Sequence, residues 1–154
     1  MKFFKILVLP VLLTVHAHAS GGINAGSVAY KNGDYDAALR VWRPLADQGN
    51  AMAQLNLGYM YDQGHGVPQD FQEAIKWYRR AAEQGNNRAQ YNLGLMYDNG
   101  DGVPQDYVQA HMWYDLAGVE VATRYRDFVA REMTPEQIAE ARRLVKEWQV
   151  KHHP

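Results

Sequence analysis

Apolar positions recur at helical spacing through the middle of the chain, and the arrangement is written twice. Ala53, Leu57, Met60 and Tyr61 fall on one face of a helix, as do Ala89, Leu93, Met96 and Tyr97. A second stripe follows each: Ala74, Trp77, Tyr78 and Ala81, then Ala110, Trp113, Tyr114 and Ala117. Two helices per unit, each with one apolar face, predict a helical hairpin. The connecting segments QGHGVP and NGDGVP carry paired glycines that permit positive φ, and the proline stops the first helix from continuing. Asp70 and Asp106 are placed to cap the second helices, with Glu73 and Gln109 three residues on to complete a capping box. Gly85 is placed to end the second helix in a left-handed turn. Gly58 and Gly94 interrupt the first helices at the same position. Glycine there costs about 1 kcal/mol of helix propensity, so its recurrence predicts a close approach by a neighbour.

The two segments 53–88 and 89–124 agree at about 19 of 36 positions. A period of that length is the mark of a solenoid. The grammar extends backward: Asp34, Tyr35, Ala38, Val41, Trp42 and Gly49 precede Asp70, Phe71, Ala74, Trp77, Tyr78 and Gly85 by one period. A first helix around Ile23 to Lys31, joined by a tight Asn32-Gly33 turn, completes a shorter opening unit over 20–52. Forward of Arg124 the pattern decays. A helix over Arg124 to Glu132 is expected, then a Thr134-Pro135-Glu136-Gln137 start to a last helix reaching about Lys151. That helix buries Ile138, Ala141, Leu144, Val145 and Trp148, so 125–151 forms a capping hairpin. Val121 stands where the preceding unit has Gly85, which predicts a different turn after the third unit.

Residues 1–19 read as a removable export signal rather than as part of the fold. Lys2 and Lys5 precede a short apolar run from Ile6 to Val15, and Ala17-His18-Ala19 offers the small-x-small pattern of a cleavage site. The run is too short to span a bilayer comfortably, which takes about 20 residues. The expectation is a periplasmic or secreted protein of one domain, 20–154, with no stable membrane insertion once the leader is removed.

Composition narrows the chemistry. With 16 basic and 17 acidic residues and no block of like charge, nucleic acid is not an expected partner. Cysteine is absent, which removes disulfides, thiolate catalysis and cysteine metal sites. No pair of histidines has metal-ligand spacing, and the few serines, Ser20 and Ser27, have no histidine near them in sequence. The sequence therefore predicts no catalytic residue, no metal and no cofactor. His111, in the place of Ile75, reads as a packing residue. The glycine loops follow a helix rather than a strand and lack a following lysine, which argues against a phosphate cradle.

The motif AQxNLGxMYDxGxGVPQD followed by AxxWYxxA, at 53–81 and 89–117, resembles SEL-one-like repeat proteins, relatives of the tetratricopeptide repeats. The flanks GDYDAALRVWRPLADQGNAMAQ and MTPEQIAEARRLVKEW resemble those of small members. The resemblance implies an all-α fold, an α/α right-handed superhelix whose first helices line a concave surface, and a role as an adaptor. Enzyme activities associated with the cysteine-rich secreted members do not transfer to a chain without cysteine.

On that picture Leu55, Tyr59 and Asp62 point away from the hairpin's own core, with Tyr91, Leu95 and Asp98 as their equivalents. These six form the candidate binding surface for a partner protein or extended peptide in the cell envelope. Asp62 and Asp98 are equally placed to hold loop amides. The apolar members are equally placed to pack between units. A glycan-binding module using exposed tyrosines is the alternative function, with Asn56, Asn92, Gln63 and Asn99 as the polar groups it would need. A cell-wall hydrolase is the third and weakest reading.

Overall fold

The computed structural model describes residues 12–152, with side chains from Gly21 onward. The basic start and most of the apolar run of the expected leader lie outside the described residues. The chain from Leu12 to Ser20 forms the beginning of the first helix. Eight α-helices follow one another: α1 (Leu12–Lys31), α2 (Tyr35–Asp47), α3 (Ala51–Gln63), α4 (Phe71–Glu83), α5 (Asn87–Asn99), α6 (Tyr107–Ala117), α7 (Glu120–Val129) and α8 (Pro135–His152), with a 3₁₀ turn at Ala130–Glu132. Among the described residues there is no strand. Three successive hairpins, α1 with α2, α3 with α4 and α5 with α6, stack as an all-α solenoid. α7 and α8 each pack against α6 rather than against each other, so the expected capping hairpin is two separate helices laid on the last repeat.

The punctuation of each hairpin repeats. Asn50 and Asn86 cap α3 and α5 by accepting from the amides of Ala53 and Ala89 at 3.0 Å. Gly64 and Gly100 end the same helices with φ of 70° and 79°. Asp70 and Asp106 each accept two amides at the start of α4 and α6. The capping boxes expected there are only half formed. The Asp70 and Asp106 amides donate instead to the carbonyls of Tyr61 and Tyr97 at 2.9 Å, which closes the hairpin loop, and Glu73 turns outward to Lys76. Thr134 and Gln137 do form the reciprocal pair at the start of α8.

The expected stripes are buried: Ala74, Trp77, Tyr78, Ala81, Ala110, Trp113, Tyr114 and Ala117 all lie in the core. Gly58 and Gly94 have the predicted purpose. A Cβ on Gly58 would sit 2.5 Å from the Tyr78 ring, and one on Gly94 would sit 2.4 Å from the Tyr114 ring. Gly26 does the same for Trp42, where the gap is 2.2 Å. In each of these three hairpins, then, an aromatic ring of the second helix crosses the first helix through a notch that only glycine leaves open. Gln54 and Gln90 are also buried, each donating to a carbonyl at the end of the preceding unit, Ala46 or Ala82.

The last unit departs from the period, as Val121 predicted. Gly118, with φ of 60°, caps α6 after 11 residues where α4 has 13, and α7 begins at Glu120, earlier than the sequence pattern placed it. α8 then packs against α6, with Ala141 and Val145 buried.

Candidate functional site

Along the first helices the tyrosines that cross each hairpin end in polar groups. The Tyr78 hydroxyl donates to Asp62 Oδ2 at 3.2 Å, and Tyr114 donates to Asp98 Oδ2 at 3.1 Å. Asn92 also stands beside the Tyr78 hydroxyl. Burial and the neighbouring carboxylate push both phenols well above their ordinary range, so they remain donors. Burial likewise raises the Asp62 carboxyl, against the opposing pull of the Tyr78 bond. The loop-amide alternative for Asp62 and Asp98 gives way to these hydroxyl bonds. The loop is tied elsewhere, by Gln69 and Gln105 donating to the backbone carbonyls of Asp62 and Asp98 at 2.7 Å.

The six residues singled out from the sequence separate into different environments. Leu55 is 6% exposed and belongs to the core cluster that includes Ala82, Ala89 and Leu93, so it is not on an open surface. The reason is geometric. A first helix in a solenoid meets its own hairpin partner and also the neighbouring unit, and a projection with one buried face sees only the former. Leu95 is half-buried and packs in the equivalent way against the cluster of α6 and α7. Tyr59 is 43% exposed. Tyr91 is half-buried, 5.9 Å from Tyr114 and 5.7 Å from Tyr125 between ring centroids. Asp62 and Asp98 are half-buried under their tyrosines.

The structure adds aromatic residues that the sequence reading did not select. Tyr30 of α1 lies 6.1 Å from Tyr59 and 5.2 Å from Tyr35, and its hydroxyl is hydrogen-bonded to His65 Nδ1 at 2.5 Å. Burial, with Tyr59 and Tyr35 beside it, pushes its phenol up to about 12. The His65 ring stacks on Tyr35 at 4.6 Å. At the other end Tyr125 and Phe128 of α7 are exposed, Phe128 by 59%. With Asp98, Asn99 and Arg124 they line a cavity of about 460 Å³. Carrying the 36-residue interval forward from Tyr91 and Leu95 lands on Asp127 and Arg131 instead, because the third unit is shorter. A search for an i, i+4, i+7 apolar stripe in 120–129 would have found Val121, Tyr125 and Phe128.

The result is a discontinuous line of tyrosines on the first helices: Tyr30, Tyr59, Tyr91 and Tyr125, with Phe128 at its end. It offers flat apolar area and polar tips. Among the described residues no group of three or more His, Asp or Glu side chains is placed to hold a metal ion, and no helix is long and apolar enough to cross a membrane. His111 is buried, as expected of a packing residue.

Comparison with known proteins agrees with this architecture. A family model described as Sel1 repeat matches residues 51–86 and 87–118. The chain is similar to a protective antigen of uropathogenic Escherichia coli that displays an SLR fold, at 35% identity and a TM-score of 0.83, over 88% of this chain and 31% of that one. It is also similar to a Sel1 repeat protein from Oxalobacter formigenes, at 33% identity and a TM-score of 0.66, over 80% of this chain and 54% of that one. The chain thus spans about a third of the first relative's length and about half of the second's. Among curated proteins, none matches. With two matched repeats inside its stack of helical hairpins, the chain is built on Sel1 repeats.

Proposed function

We propose that this chain is an exported adaptor that holds an extended segment of a partner protein in the cell envelope, along the face made by α1, α3, α5 and α7, and that it catalyses no reaction. Sel1 repeats generally mediate protein–protein interaction, and the observation that carries the reading for this chain is the aromatic line itself. Tyr59, Tyr125 and Phe128 remain exposed although the hairpins have already buried their own stripes. Aromatic side chains on one face of a rigid support are the usual anchors of a protein interface. The export reading rests on the leader pattern of residues 1–19.

The cavity beside Tyr125 sets Asp98 and Asn99 next to apolar rings, which is also the combination a sugar ring would need. The test therefore has a glycan arm. A photocrosslinking residue at position 59, in protein expressed with its leader in a Gram-negative host, is expected to trap a protein from the envelope fraction. Trapping should be lost in a Tyr125→Ser/Phe128→Ser variant that keeps its helical circular dichroism. Crosslinks to glycan alone would replace the peptide reading with the carbohydrate one. Equal trapping by the variant would remove the aromatic face from consideration, and retention in the cytoplasm would remove the export assignment.

A further inference from the structure

The outward faces of the second helices carry a separate pattern. On α2, Leu39, Arg40, Arg43, Pro44 and Asp47 line a depression of about 410 Å³. On α4, Ile75, Lys76, Arg79, Arg80 and Glu83, with Gln72, line one of about 330 Å³. These are the same positions one repeat apart. Each of the five residues on α2 is 36 before its counterpart on α4. The two depressions are therefore one built feature, written twice.

Its chemistry is basic in a chain whose formal net charge is −1. Five cations, Arg40, Arg43, Lys76, Arg79 and Arg80, line the two depressions with the acids Asp47 and Glu83, and Asp36 and Glu73 lie one turn before Arg40 and Lys76. Of these acids only Glu73 is in an ion pair, with Lys76. No carboxylate of the described residues lies within ion-pair distance of the four arginines. Three of them are oriented by neutral groups, Arg80 by lying over the Trp77 ring at 4.6 Å from its centroid. Arg43 Nη2 donates to the Tyr61 hydroxyl and Arg79 Nη2 to the Tyr97 hydroxyl, both at 2.9 Å. Each bond fixes the guanidinium without neutralising it and leaves its other edge free to donate.

The third unit shows what happens when this face is used within the chain. Lys76 is replaced by Met112 and Arg80 by Leu116, and both pack with Leu144, Val145 and Trp148 of α8. Arg79 is replaced by Asp115, which pairs with Arg126 of α7 at 2.5 Å. Where the chain covers the face itself, it is apolar and its charge is satisfied internally. In the first two units it is open and basic, and no carboxylate of the described residues pairs with its arginines.

We propose that the α2 and α4 faces form a second docking surface, opposite in kind to the aromatic one, for an acidic segment of a partner protein. Carboxylates of that segment would be taken in bidentate fashion by Arg43 and Arg79, one per repeat. A chain with two such faces can bridge two partners.

The test uses the full-length protein and a fluorescein-labelled twelve-residue oligoglutamate as probe, read by anisotropy at low salt. Saturable binding is expected, weakened at least tenfold in Arg43→Gln/Arg79→Gln. It should change less than twofold in the charge-matched control Arg131→Gln/Lys146→Gln and in Tyr59→Ala/Tyr125→Ala. Because Arg43→Gln and Arg79→Gln also break the tyrosine bonds, Arg40→Gln/Lys76→Gln serves as a second variant and should lose at least threefold. No saturable binding by the wild type, equal losses in the two charge-matched pairs, or complete competition by an equimolar DNA twelve-mer would each overturn the proposal.

Discussion

Replacing Gly58 by alanine tests the central packing device of the fold. In an open helix the change would stabilise by about 1 kcal/mol. Here the new methyl would meet Tyr78 Cδ1 at 2.5 Å and Cε1 at 2.6 Å, and Tyr78 is fully buried. The ring cannot swing away without opening the core. The hairpin must instead spread, which costs on the order of 1–3 kcal/mol or slightly more. Spreading also lengthens the 3.2 Å bond from Tyr78 to Asp62, a hydrogen bond to a charged group worth about 1.5–3 kcal/mol when buried and less at this half-buried site. The two losses outweigh the propensity gain, and a net destabilisation of about 2 kcal/mol follows.

Urea unfolding followed by circular dichroism reads this directly, as a lower midpoint with an unchanged slope. Two comparisons sharpen it. Gly21→Ala, where nothing lies within 4 Å of the added Cβ, should be neutral or stabilising. In a Tyr78→Ala background, Gly58→Ala should change sign and stabilise by about 1 kcal/mol, giving a coupling of about 3 kcal/mol in the double-mutant cycle. A neutral or stabilising Gly58→Ala in the wild-type background would refute the notch-and-ring account of how the hairpins close.

Tyr114→Phe should cost about 1 kcal/mol by leaving half-buried Asp98 without its donor, read by the same urea titration. Arg126→Ala should cost no more than about 1 kcal/mol, since its pair with Asp115 is 29% exposed on both sides, and the loss should shrink in high salt. His111 is buried neutral, with its value held down first by burial, while Asp115, Asp127, Arg126 and Arg142 act on it in opposing directions. Its folded value therefore lies below the unfolded one, near the ordinary 6.5. The stability it contributes is complete above that value and is lost as the pH falls through the folded value. The difference in stability between wild type and His111→Ile should accordingly shift in favour of the variant on acidification, and a pH-independent difference would refute the assignment. Met112→Lys, which restores the residue type of the earlier units, should cost at least about 2 kcal/mol by placing an unpaired ammonium under α8.

The fold was legible because its signals are local. The paired stripes, the capping residues Asp70 and Asp106 and the recurring Gly58 and Gly94 each act within one hairpin, and each lies where the pattern placed it. The candidate surface was less legible because it depends on contacts between units. Leu55 and Tyr59 differ by a single turn of α3, yet the neighbouring unit covers the first and leaves the second open. Helical periodicity measures angle around one axis and carries no information about which arc a second helix occupies. Tyr125 and Phe128 were missed for a different reason. The early stop at Gly118 shifts the frame of the last helices, so a fixed interval no longer points to equivalent residues.

The substitutions between repeats hold more functional information than the identities. Identical positions such as Trp77 and Trp113 or Tyr78 and Tyr114 maintain the hairpin and would do so in any solenoid. The outward positions of α2, α4 and α6 are under no such constraint, and they change together. Arg43 and Arg79 become Asp115, Lys76 becomes Met112 and Arg80 becomes Leu116 at the one unit that receives a cap. This coordinated change means that the character of the outward face follows what lies against it, apolar under α8 and cationic where no described element reaches. If the arginines of the first two units served only solubility, lysine or glutamate would do as well, and two of them would not each be anchored to a tyrosine hydroxyl one repeat apart. Their geometry is that of groups held ready for an anion that the described residues do not supply.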